Sequence, residues 1–89
     1  MSYELKDFFI TDHAKDEINR RGISQEDLES CLIKPDQEVE GRNDRTVFHK
    51  KIKISSKTLL LRVVVEKVIK PWRVVTVYKT SKIEKYWRS

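Results

Sequence analysis

The hydrophobic period of this chain changes at Lys34-Pro35. Before that point apolar residues recur three and four apart, and after it they alternate every second residue. The first pattern buries one stripe of a helix, and the second buries one face of a strand. With 89 residues the two parts cannot each enclose a core, so they must bury against each other as a single domain, 1–89. The expected class is therefore α+β, with two N-terminal helices packed on one face of a four-stranded antiparallel sheet.

Local signals place the elements. Thr11 or Asp12 can cap a helix over 11–21, in which Ala14 and Ile18 lie four apart and Gly22 supplies a left-handed stop. Ser24, with Asp27 three positions on, opens a second helix over 24–34 whose stripe is Leu28, Cys31 and Leu32. It ends before Pro35, because a residue preceding proline avoids the helical region. Strands are expected over 38–42, 45–54, 58–67 and 72–80, and the remainder, 81–89, is either a short helix or an irregular tail.

Charge is distributed unevenly. Residues 1–44 carry six basic and twelve acidic side chains, a net of −6, whereas residues 45–89 carry thirteen basic and two acidic, a net of +11. Such a split suits either a polyanionic partner for the second half or internal pairing between the halves. A lone cysteine, Cys31, excludes an internal disulfide and a cysteine-rich metal site. No His or Cys pair stands at ligand spacing, so neither a metal nor another cofactor is expected. Met1 to Asp7 is polar and acidic, unlike a signal peptide, and Leu59–Val65 is far short of a membrane span, so a cytoplasmic protein without membrane contact is expected.

Strand alternation separates two sheet faces. Phe48, Ile52 and Ile54, then Leu59, Leu61, Val63 and Val65, then Val75 and Val77 form the apolar face that the helices should cover. The other face gathers His49, Lys51, Arg62, Thr76, Tyr78 and Thr80, with Val74 beside them. Cations, an imidazole, hydroxyls and an aromatic ring on one surface suit a phosphate and an unstacked base. A solvated face of an antiparallel sheet accounts for the same polarity, but an Arg within an apolar strand is costly to bury unless it is paired.

Other candidates lie outside the sheet. His13, in the first turn of helix one, is either an acid/base group or a half-buried histidine bonded to a backbone carbonyl. Arg20 and Arg21 either grip phosphate or complement the helix dipole. Lys79, Lys82, Lys85 and Arg88, interleaved with Tyr86 and Trp87, form a tail that either binds nucleic acid or docks on the core. A helix-turn-helix over 11–32 is disfavoured, since Glu26, Asp27 and Glu29 would face phosphates with the wrong sign.

The residues Ile10-Thr11-Asp12-His13-Ala14, Arg20-Arg21-Gly22-Ile23-Ser24 and Asp27-Leu28, with Val74–Thr80 at the other end, resemble a small uncharacterised bacterial family that reads T-x-H-A…R-G-I-[ST]…[DE]-[VL]. That family stands near the RelE/ParE and BrnT-type toxins. The resemblance implies a RelE/ParE-like fold and a metal-independent endoribonuclease of a toxin–antitoxin pair, in which a ribose 2′-OH attacks the neighbouring phosphate. It implies RNA and a cognate antitoxin as partners, with the ribosome as a further candidate. Carried onto this chain, it makes His13 an acid/base group, Arg62 the phosphate stabiliser, and Tyr78 or Thr80 the group at the end of the last strand, with His49 as the alternative acid/base. The remaining contacts to nucleic acid would come from Arg20, Arg21, Lys51, Thr76, Lys79 and Lys82. A non-catalytic, ParE-like module that binds nucleic acid or inhibits a protein is the alternative.

Overall fold

Two short capping sequences determine how the first third of the chain meets the sheet. In the computed structural model, which describes residues 7–88, strand β1 (Phe8–Ile10) leads through Thr11 into helix α1 (Asp12–Arg21). The Thr11 side-chain oxygen accepts from the Ala14 amide (3.2 Å) and donates to the Val74 carbonyl (3.0 Å). The Thr11 amide donates to the same carbonyl at 3.1 Å, so the helix starts pinned to the sheet. Ala14 is fully buried, and its small side chain lets α1 lie close.

Gly22, at φ 63°, closes α1, and the Ile23 amide reaches back to the Ile18 carbonyl (3.0 Å). Ser24 then caps α2 (Gln25–Ile33) by accepting from the Asp27 amide at 3.1 Å. The expected helices over 11–21 and 24–34 are thus present with Thr11, Ser24 and Lys34 as their caps.

The remaining elements are β2 (Gln37–Glu40), a 3-10 turn (Arg42–Asp44), β3 (Thr46–Ile54), β4 (Lys57–Glu66), β5 (Trp72–Thr80) and the single-turn helix α3 (Ile83–Tyr86). The expected first strand, 38–42, ends two residues early. At Gly41 a Cβ would stand 2.9 Å from Val47 Cγ2 and 3.2 Å from the Arg45 carbonyl oxygen, so the tight approach there needs glycine.

The class is α+β, but the architecture corrects the expected four-stranded antiparallel sheet with two helices. Among the described residues, three α-helices accompany a five-stranded mixed sheet in the order β1-β5-β4-β3-β2, with β1 parallel to β5. Phe8-Phe9-Ile10 is too short to show a period of two, and only the distant Trp72–Val74 segment reveals it as a strand. A bond from the Trp72 amide to the Asp7 carbonyl (2.9 Å) holds one end, and the Thr11–Val74 pair holds the other. Parallel pairing follows from the long crossover through the helices and the antiparallel strands.

One core fills the space between α1, α2 and the sheet. Ala14, Ile18, Leu28, Cys31 and Leu32 meet Phe48, Ile52, Leu61, Val63 and Val65. In β5 the alternation is reset. Val64 pairs with Thr76 and Val65 with Val74, leaving Val75 as the extra residue of a β-bulge. Val74 therefore joins Val77 in the core, whereas Val75 is only half-buried, the reverse of simple alternation.

The other face is not bare either. Val47, His49 and Leu60 are buried on it, and the chain after β5 crosses it. Met1–Lys6, on which the expectation of no signal peptide largely rests, and Ser89, which completes the 1–89 domain, lie outside the described residues. No described helix is long and apolar enough to cross a membrane.

Candidate nucleic-acid interface

Sheet register brings four polar side chains into one row. Gln37 pairs with His49 across β2 and β3, His49 with Arg62 across β3 and β4, and Arg62 with Tyr78 across β4 and β5. Directly opposed residues on neighbouring strands point to the same face and lie within contact distance. Here they form a continuous hydrogen-bonded file. His49 Nδ1 and Gln37 Oε1 are 3.0 Å apart, Arg62 Nε donates to His49 Nε2 at 3.0 Å, and Arg62 Nη1 donates to the Tyr78 hydroxyl. Because Nε2 accepts from a guanidinium, the imidazole proton belongs on Nδ1, facing the amide oxygen of Gln37.

The electrostatics of this row suit an anion. Burial, and then the neighbouring Arg62 guanidinium, hold the His49 imidazole at about 4 instead of its usual 6.5, so it is neutral at pH 7. Burial pushes the Tyr78 hydroxyl above the ordinary tyrosine value against the pull of Arg62, so it keeps its proton. Among the described residues no carboxylate stands within ion-pair distance of Arg62, whose bonded partners are both neutral. A half-buried cation compensated only by neutral acceptors is primed for an anionic ligand.

The C-terminal segment lies across the row. The Trp87 ring stacks on His49 with centroids 6.3 Å apart and planes 21° apart, and the Lys51 ammonium sits 4.1 Å from the centre of the indole. The Tyr86 ring covers the Arg62 guanidinium at 4.0 Å. Arg88 donates its amide hydrogen to Gln37 Oε1 and accepts from Gln37 Nε2, both at 2.9 Å. The tail alternatives left open by the sequence thus resolve into docking in this state. Gln37 is the residue that sequence reasoning missed. Its signal is the alternation Gln37-Glu38-Val39-Glu40, which assigns Gln37 and Val39 to the more buried side, but only the β2–β3 register aligns it with His49.

The other candidates are dispersed. His13 is exposed on α1, in a shallow depression with Asp16, Asn19 and Arg20, while the buried flank of the same helix packs on the sheet face opposite to Arg62. The sheet thus separates His13 from Arg62. Arg20 and Arg21 both bind the buried Glu17 carboxylate, at 2.8 and 3.2 Å. Lys79 shares its side of β5 with Val77 and reaches the Gly22 carbonyl on the helical side (3.5 Å). Thr76 and Thr80 lie on the same face as Tyr78, and the Thr80 hydroxyl oxygen accepts from the Lys82 amide (3.0 Å) where the chain turns into α3. Lys82 itself is exposed at the start of that turn.

Cys31 is a core residue. Its thiol donates to the Phe48 carbonyl (3.5 Å), and burial pushes it up to about 12. Among the described residues no three His, Cys, Asp or Glu side chains cluster as metal ligands do. Residues 10–79 match a family profile described as a domain of unknown function, DUF4258. No curated protein and no solved structure matches the chain.

Proposed function

The chain belongs to the DUF4258 family, and we propose that it is a RelE-like toxin, an endoribonuclease that cleaves RNA without a metal and is held in check by an antitoxin protein. The observation that carries this reading is the file Gln37–His49–Arg62–Tyr78, in which a guanidinium paired with no carboxylate among the described residues lies between a neutral imidazole and a protonated phenol. In the proposed step, His49 Nε2 leaves Arg62 and takes the proton of a ribose 2′-OH. The 2′-oxygen then bonds to phosphorus, and the bond from phosphorus to the 5′-oxygen breaks. Tyr78 gives its proton to that leaving oxygen, and Arg62 stabilises the charge that builds on the phosphate. The products are a 2′,3′-cyclic phosphate and a 5′-hydroxyl. The toxin class and the antitoxin partner rest on the motif resemblance, and the chemistry rests on the row.

The test is cleavage of an unstructured RNA in excess EDTA by the wild type and by Arg62→Ala, His49→Gln, Tyr78→Phe and His13→Ala. Losses of about 10²-fold or more are expected for Arg62→Ala and His49→Gln. Little change is expected for His13→Ala, which lies across the sheet. A wild type that cleaves nothing, or Arg62 and His49 variants that cleave normally, would overturn the reading. A second reading, a non-catalytic module that binds nucleic acid, draws on the complete burial of His49 beneath Trp87. It expects RNA to be bound and returned intact.

A further inference from the structure

The segment that crosses the row has the chemical form of a nucleotide. Trp87 offers a flat ring stacked on His49 and met by the Lys51 ammonium, which is how an unstacked base is held. Next to it, the Arg88 peptide presents an N–H donor and a C=O acceptor side by side to the amide of Gln37. Adenine presents the same adjacent pair, its N6 hydrogen and N7, and a glutamine amide reads it with two bonds. Beyond Arg88 and Trp87, Tyr86 covers the Arg62 guanidinium, the group suited to a phosphate.

We propose that Gln37, His49 and Lys51 form a subsite for one unstacked adenine base, which Trp87 and the Arg88 peptide fill in the free protein, so that RNA and the C-terminal segment compete for it. This deepens the reading of the same face as an RNA site and rests on that reading.

The segment is built to leave. None of residues 81–88 is buried, and α3 is a single turn without a side-chain cap. Its hold comes from the two bonds to Gln37, the contacts of Trp87 with His49 and Lys51 and of Tyr86 with Arg62 and Tyr78, and the Thr80–Lys82 turn, all outside the core between the helices and the sheet. Elements fastened this lightly open without unfolding the rest. Because only the open fraction binds, weakening the hold raises apparent affinity.

The experiment uses full-length protein and a labelled, uncleavable 2′-O-methyl oligoadenylate, with oligocytidylate of equal length as the comparison. Trp87→Ala is expected to bind oligoadenylate about tenfold more tightly than the wild type does. In that background Gln37→Ala is expected to reduce the preference for adenine over cytosine about fivefold or more. If Trp87→Ala binds more weakly, Trp87 is part of the RNA platform and the competition is overturned, while the RNA reading stands. If affinity rises without any preference that Gln37→Ala removes, the adenine subsite is overturned. If neither protein binds either oligonucleotide, both this inference and the RNA reading fall.

Discussion

His49 shows how one residue joins stability to function. Its imidazole resists protonation until about pH 4, whereas an unfolded chain takes up that proton near 6.5. The contribution of neutral His49 is thus complete above about pH 6.5 and is lost as pH falls toward 4, by on the order of 3 kcal/mol. Urea denaturation at stepped pH between neutral and pH 4.5 should show the wild type weakening more steeply than His49→Gln. Parallel curves would mean that the imidazole does not carry the effect. The residue types on this face were legible from strand alternation, which placed His49, Arg62 and Tyr78 together. Gln37 was not legible, because a four-residue strand fixes no register until its neighbour is known.

Among the elements, β5 departs furthest from its sequence pattern. Alternation assigns Val75 to the core and Val74 to the opposite face, but the bulge at Val75 exchanges them. Val74→Ala should therefore cost about 2 kcal/mol, the effect of deleting two methyl groups from a filled core, and Val75→Ala less than half of that. Chemical denaturation of the two variants decides between the bulged and the straight strand, and the opposite ranking would rule out the bulge. The helices, in contrast, were readable because their ends are local. Thr11, Gly22 and Ser24 each act on groups within five residues, so the motif around them spells out caps and a turn. Only the further bond from Thr11 to Val74, 63 residues away, needed the folded chain. Strand β1 lacked any such local signal, since its partner lies 64 residues on in Trp72–Val74.

Over the whole molecule, the charge split of −6 and +11 is only partly cancelled within the fold. Arg20 and Arg21 are paired within the acidic half, and Lys50, Lys67 and Arg45 reach carboxylates, while Lys51 and Arg62 meet aromatic rings instead. Single-stranded RNA that engages about three phosphates should bind roughly 20-fold more weakly at about 200 mM than at about 50 mM salt. Fluorescence anisotropy with the uncleavable oligonucleotide measures this, and a flat salt dependence would argue for a protein target over RNA. The sequence by itself determined the period change at Pro35, the two helices with their caps, the α+β class and the polar set on one sheet face. Each of these follows from interactions between near neighbours in the chain. The tertiary structure alone decided the fifth strand, the exchange of Val74 and Val75, the separation of His13 from Arg62, and the crossing of the row by Trp87 and Arg88. These depend on which distant segments pair and in what register, which no local pattern encodes.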